Sequence, residues 1–303
     1  MLSEQAQLQQ VANIAGIRIP AQVSVKNHHV ILNERRFHYR EWGKPSAPGL
    51  LFLHGGNQTC HTWNVICAAL SDQYHCIAMD QRGHGDSEWS YEGDYAPASQ
   101  MQDIVALIEH LEWPSLTIIG MSMGCLVGLC YAIKYGSSLN AFVAIDAGPY
   151  VEPAGAAKIK SFVDNNQRHG SLEDYIAAAV AFNPRRNPQL LRHSLQRNLR
   201  RLVDGRWEWK TDNHITQQIP QLLKSIKELA QHIGNIDCPV LIMRGNDSEV
   251  FSDANAQQFC CELKHGQYVT IENAGHSIQG DNPKALLREL RPFLTNVVKI
   301  NRA

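Results

Sequence analysis

Leu116-Thr117-Ile118-Ile119-Gly120-Met121-Ser122-Met123-Gly124 carries the most architectural information in this chain. The first four residues form a short apolar run, the pattern of a strand buried on both faces of a sheet. From Met123 to Tyr135 the pattern is helical. Between them lies a G-x-S-x-G, whose glycines allow a sharp, strained turn with another segment packed close against it. Such a turn lifts Ser122 above the sheet edge. The helix behind it directs free N–H groups toward developing negative charge. A bare G-x-S-x-G is common by chance, but the strand before it and the helix after it give it the context of a nucleophile elbow.

Outward from the elbow the same strand signal recurs. Leu50–Leu53, Cys76–Met79, Phe142–Ile145 and Val240–Met243 are short apolar runs, and Tyr268–Ile271 is a weaker one. Helical segments lie between them at 62–70, 98–111, 123–135, 253–263 and 283–298. Alternation of this kind predicts an α/β fold, a mostly parallel central sheet with helices on both faces. Val23–Val25 and Val30–Trp42 read as a hairpin around Asn33-Glu34. Residues 2–14, with Leu8, Val11 and Ile14 at helical spacing, predict a short amphipathic helix packed on the body or on a second subunit. One interval breaks the rhythm: 150–232 shows helical patterns and polar turns without a comparable apolar strand. The expected organisation is a core of 1–149 and 233–303 interrupted by a helical cap at 150–232.

Two further loops carry chemistry. His54-Gly55-Gly56-Asn57 follows the Leu50–Leu53 strand. Acyl transfer needs two backbone N–H donors facing an oxyanion, and Gly56 and Met123 are the natural pair. Asn57 either assists through its side chain or shapes the turn. Asn273-Ala274-Gly275-His276 precedes the final helix, and a histidine there can serve as general base to Ser122. His84, in Arg82-Gly83-His84-Gly85-Asp86-Ser87, sits in a turn where a scaffolding role is expected.

Taken together, His54-Gly55-Gly56, the Arg82–Ser87 turn, Gly120–Gly124 and Gly275-His276 resemble the α/β-hydrolase family, in that family's order and over nearly the whole chain outside the cap and the first ~20 residues. The resemblance implies an oxyanion loop, a structural turn, a nucleophile and a catalytic histidine at these positions. A serine nucleophile separates the chain from the dehalogenase and epoxide-hydrolase branches, which use aspartate. The acid departs from the family pattern. Its usual place, three residues beyond the glycine after the strand, is Ser248 in Arg244-Gly245-Asn246-Asp247-Ser248-Glu249. Asp247 and Glu249 lie one residue out of register on either side. Asp146, closing the Phe142–Ile145 strand, is the favoured alternative, because a buried carboxylate there needs a partner such as the imidazole N–H of His276.

The expected reaction is hydrolysis of a small carboxylic ester through an acyl-enzyme, with no metal or organic cofactor. C–C bond, lactone or amide hydrolysis and cofactor-free perhydrolysis are alternatives on the same triad. A non-catalytic binding protein of this fold would show a damaged triad, whereas here serine, histidine and glycines are all present. Trp63 either lines the acyl pocket or anchors its helix. Seven arginines between Arg185 and Arg206, with Asp204 as the single acid among them, form either a funnel for an anionic substrate or a solvated face. Trp207 and Trp209 alternate around Glu208 and are expected to face inward.

The 303 residues carry a net charge of -1, which gives no reason to expect a nucleic-acid or membrane-surface partner. No apolar run reaches the ~18–20 residues of a membrane span. The first twenty residues lack the basic and apolar blocks of a signal peptide, so the expected compartment is the cytoplasm. The eight cysteines form no disulfide framework or CxxC pair, and Cys125 and Cys130 read as small buried hydrophobes.

Overall fold

In the computed structural model, which describes residues 3–300, α1 (Glu4–Ile14) precedes a hairpin of β1 (Val25–Leu32) and β2 (Arg35–Trp42). Asn33 and Glu34 turn it with φ of 48° and 63°, the left-handed pair that matches strand twist in a two-residue hairpin loop. Then follow β3 (Gly49–Leu53), α2 (Asn64–Leu70), β4 (His75–Met79), α3 (Pro97–His110), β5 (Leu116–Met121), α4 (Met123–Tyr135) and β6 (Leu139–Ile145). The eight-stranded sheet runs β1-β2-β4-β3-β5-β6-β10-β11, with β10 (Val240–Gly245) and β11 (Gly266–Ile271) contributed after residue 232. All pairings from β4 onward are parallel, and β1 and β2 join antiparallel at one edge. The expected α/β architecture is borne out.

Alternation along the strands fills two apolar layers. Leu50 and Phe52 face α1, α2, α11 (Ile278–Asp281) and α12 (Pro283–Ile300). Leu51 and Leu53 face α3, α4 and α10 (Asp253–Glu262). Burial on both faces is why these strands read as unbroken apolar runs. β11 is an edge strand and only partly covered, which explains its weaker signal. The helix expected at 62–70 begins at Asn64, after a single 3₁₀ turn over Cys60–Trp63.

Between β6 and β10 lie α5 (Pro153–Asn165), α6 (Leu172–Phe182), α7 (Pro188–Asn198), α8 (His214–Gln217) and α9 (Ile219–Ala230). The segment at 150–232, expected to be helical, also contains strand. Three short strands, β7 (Arg168–His169), β8 (Leu199–Arg201) and β9 (Trp207–Trp209), form a small antiparallel sheet. Strands of two or three residues give no periodicity to read. The segment packs around its own apolar cluster of Leu172, Tyr175, Leu191, Leu195 and Trp209. Trp209 is buried there and its indole N–H donates to Asn166 O at 2.8 Å.

α1 lies on the body, with Leu8 and Ala12 buried. Glu4 reaches the buried guanidinium of Arg40 on β2, which also donates to Asn27, Asn64 and the His61 ring. Among the described residues no helix is long and apolar enough to cross a membrane.

Candidate active site

Ser122 stands between β5 and α4 with φ 51° and ψ -114°, a conformation costly for any residue with a side chain and held here by its surroundings. Two close approaches explain the flanking glycines. A Cβ on Gly120 would lie 2.4 Å from Gly124 O, and one on Gly124 would lie 2.4 Å from Leu53 O. The bend is fixed further by Ser122 N donating to Ile145 O at 3.1 Å and Gly124 N to His54 O at 3.1 Å.

A continuous hydrogen-bonded chain leaves this serine. Ser122 Oγ lies 2.9 Å from His276 Nε2, and His276 Nδ1 lies 2.8 Å from Asp146 Oδ2. A carboxylate oxygen that accepts from Nδ1 leaves Nε2 to accept from the serine hydroxyl. Asp146 is fully buried, with φ 50° at the end of β6. Its Oδ1 accepts from Gly245 N at 2.8 Å and its Oδ2 from Ser248 Oγ at 2.5 Å.

Asp247, the alternative acid, is elsewhere. Its side chain is 40% exposed and faces Arg185 at 3.5 Å, while its backbone N–H donates to Ala274 O. Glu249 pairs with Lys158 at the surface. The reason is register: β6 and β10 are neighbours with Ile145 opposite Met243, which sets Asp146 against Gly245 and beneath His276.

In the loop after β3, Gly55 N donates to Gln58 Oε1 (3.3 Å) and Asn57 N to His84 Nε2 (3.3 Å). The N–H of Gly56 between them makes no hydrogen bond among the described residues, and a Cβ there would meet nothing within 4 Å. Met123 is the first residue of α4, so its N–H has no intrahelical acceptor. Both residues border the cavity containing Ser122. His84 is buried, its pKa pushed down to about 3 by burial and then by neighbouring His54. As a neutral ring it donates from Nδ1 to Arg82 O and accepts from Asn57, bracing the loop.

Gln58 and Gln279 form a brace that sequence reasoning missed. Gln279 Nε2 donates to Gln58 Oε1 (3.2 Å) and Thr62 Oγ1 (3.3 Å), tying the loop to the segment after His276. Isolated glutamines carry no spacing signal. Trp63 requires correction as a pocket residue. It is completely buried against Phe52, ring centroids 5.3 Å apart, and does not border the cavity. Asn57 does border it.

The cavity measures about 890 Å³. Its apolar wall includes Met123, Leu126, Val151, Phe162 and Phe182, and α1 contributes Leu8 and Val11. The arginine cluster is mostly paired: Arg185 with Asp247, Arg186 with Asp281, Arg192 with Glu173, Arg200 with Glu208 and Arg206 with Asp204. Arg192, Arg200 and Arg206 fit the solvated-face reading, whereas Arg185, Arg186 and Arg197 border the cavity.

Comparison with known proteins places the chain in a family. The profile of the family described as alpha/beta hydrolase fold matches residues 48–283. An esterase of Mycobacterium tuberculosis, Rv0045c, is 27% identical over 263 residues, 84% of each chain. Its crystal structure superposes with a TM-score of 0.78 at 25% identity, covering 97% of this chain and 98% of that one. The 2-(acetamidomethylene)succinate hydrolase of Mesorhizobium japonicum is 28% identical over 258 residues, 83% of this chain and 89% of that protein. A crystal structure of E-2-(acetamidomethylene)succinate hydrolase gives a TM-score of 0.82 at 25% identity, over 90% of this chain and 100% of that one. The chain is a hydrolase of the α/β-hydrolase family.

Proposed function

We propose that this hydrolase cleaves a small carboxylic ester through a Ser122–His276–Asp146 triad and an acyl-enzyme. His276 Nε2 accepts the proton of Ser122 as Oγ attacks the ester carbonyl. The N–H groups of Gly56 and Met123 receive the developing oxyanion; one such donor is worth about 3–4 kcal/mol of barrier. The histidine then protonates the leaving alkoxide, which departs as the alcohol. Water, deprotonated by the same imidazole, attacks the acyl-enzyme and releases the acid and Ser122. Asp146 holds the imidazole in the required tautomer throughout.

The observation that carries this reading is the unbroken chain from Ser122 Oγ through His276 to Asp146, at 2.9 and 2.8 Å, opening on an apolar-walled cavity. Residues 150–232 act in it as the cap that closes over the acyl group. The test is turnover of p-nitrophenyl esters from acetate to decanoate by wild type and Ser122→Ala. Ester cleavage by wild type that disappears in folded Ser122→Ala supports the reading. Equal turnover by both proteins, or none by a folded wild type across the panel, overturns it.

A further inference from the structure

The loop from α6 to α7, Asn183-Pro184-Arg185-Arg186-Asn187, borders the cavity along its whole length and is docked on the segment that carries His276. Asp281, at the end of α11 with its side chain out of solvent, holds it there. This carboxylate accepts from Asn183 Nδ2 (3.1 Å), Arg186 Nε (3.0 Å) and Gly275 N (2.9 Å). Arg186 is thereby neutralised by a buried acid. Arg185 is not. Its Nη2 lies 2.9 Å from where a Cβ on Gly275 would stand, so the guanidinium rests on the backbone of the residue next to His276. Among the described residues that guanidinium donates no hydrogen bond, and its ion-pair partner, Asp247, is 3.5 Å away with both side chains half-exposed. The other acids bordering the cavity are engaged, Glu4 by Arg40 and Glu249 by Lys158.

We propose that the ester this hydrolase cleaves carries a carboxylate, and that Arg185 receives it. The proposal rests on the triad reading above. A guanidinium is a planar fork of donors that matches a carboxylate with two parallel hydrogen bonds. Here the fork is unused, beside the general base and on the cavity border. A loose, half-exposed pair such as Arg185–Asp247 contributes little, so a substrate carboxylate can take its place. One uncompensated guanidinium suits a single negative charge. A phosphate dianion would bring a second charge to a rim where Arg186 already has Asp281. The apolar wall then packs the carbon skeleton, and Arg185 fixes the charged end while the ester carbonyl lies at Ser122.

Two matched pairs of esters test this. In the first, p-nitrophenyl pentanoate against the mono-p-nitrophenyl ester of adipic acid, the charge is on the acyl half. In the second, phenyl acetate against 4-carboxyphenyl acetate, it is on the alcohol half. The quantity read is the ratio of kcat/KM, anionic over neutral, for wild type, Arg185→Gln and Arg192→Gln, with circular dichroism to verify folding. Differences in intrinsic reactivity cancel when one ratio is compared between proteins. In at least one pair the ratio is expected to fall at least about tenfold in Arg185→Gln, the scale of one charged hydrogen-bonded contact. Arg192 pairs with Glu173 away from the cavity, so Arg192→Gln removes the same net charge and should keep the wild-type ratio. A smaller fall in both pairs, or an equal fall in Arg192→Gln, overturns the proposal. Failure of the triad reading shows separately, as turnover of the neutral esters that persists in Ser122→Ala or is absent from folded wild type, and the proposal then falls with it.

Discussion

Replacing Asp146 by asparagine changes one oxygen to an NH2 group and almost nothing in volume. With Oδ1 kept on Gly245 N at 2.8 Å, the new amide nitrogen takes the place of Oδ2, facing His276 Nδ1 at 2.8 Å and Ser248 Oγ at 2.5 Å. It can only donate there, so the imidazole must turn to the tautomer with its proton on Nε2. That nitrogen can no longer accept from Ser122. The expected loss in kcat is about 10⁴-fold, the scale of a wrong-tautomer triad, equal to ~5.4 kcal/mol of barrier. Asp247→Asn, altering a half-exposed carboxylate that meets Arg185 at 3.5 Å, should stay within about twofold. The assay is steady-state p-nitrophenyl ester hydrolysis, with circular dichroism to confirm folding. An Asp146→Asn protein retaining a tenth or more of wild-type kcat, with Asp247→Asn the more damaged, would refute the reasoning.

Three other outcomes follow from the same geometry. Glu4→Gln withdraws the carboxylate from the buried Arg40 guanidinium; since Glu4 is 46% exposed, the cost should be about 1–2 kcal/mol, read as a lower urea midpoint, and an unchanged midpoint would deny the contact. Trp63→Phe should cost about 1–2 kcal/mol through lost packing on Phe52 while leaving the preferred acyl length unchanged; a shifted preference would put Trp63 back in the pocket. His84 is held near pKa 3 in the folded protein against an ordinary 6.5, so the unfolded chain takes up its proton first as pH falls. Stability should therefore drop below about pH 6.5 by up to ~1.4 kcal/mol per unit for this group, with buried His54, also lowered, acting in the same direction. Urea midpoints equal at pH 7 and pH 5 would contradict this.

Local signals are legible in the sequence, and distant ones are not. The elbow could be read because strand, glycines, serine and helix are contiguous from Leu116 to Tyr135. The hairpin could be read because Asn33-Glu34 is a turn pair. Asp146 and Asp247 each follow a buried strand, however, so spacing leaves them nearly equivalent. Only the adjacency of β6 and β10, a relation across about a hundred residues, separates their surroundings. Trp63 follows the His54–Asn57 loop closely in sequence, but a 3₁₀ turn carries it into the core. The contact of Glu4 with Arg40 joins a helix and a strand with no shared pattern. The strands within 150–232 were illegible because none exceeds three residues.

The central claim is that Ser122 is a nucleophile activated by His276. Fluorophosphonate labelling of the intact protein, followed by mass mapping of the adduct, tests it most directly. One adduct is expected, on the peptide containing Ser122, with the labelling rate falling at least about 100-fold in His276→Ala. A folded wild-type protein that takes no label, or takes it on another serine, would contradict the account.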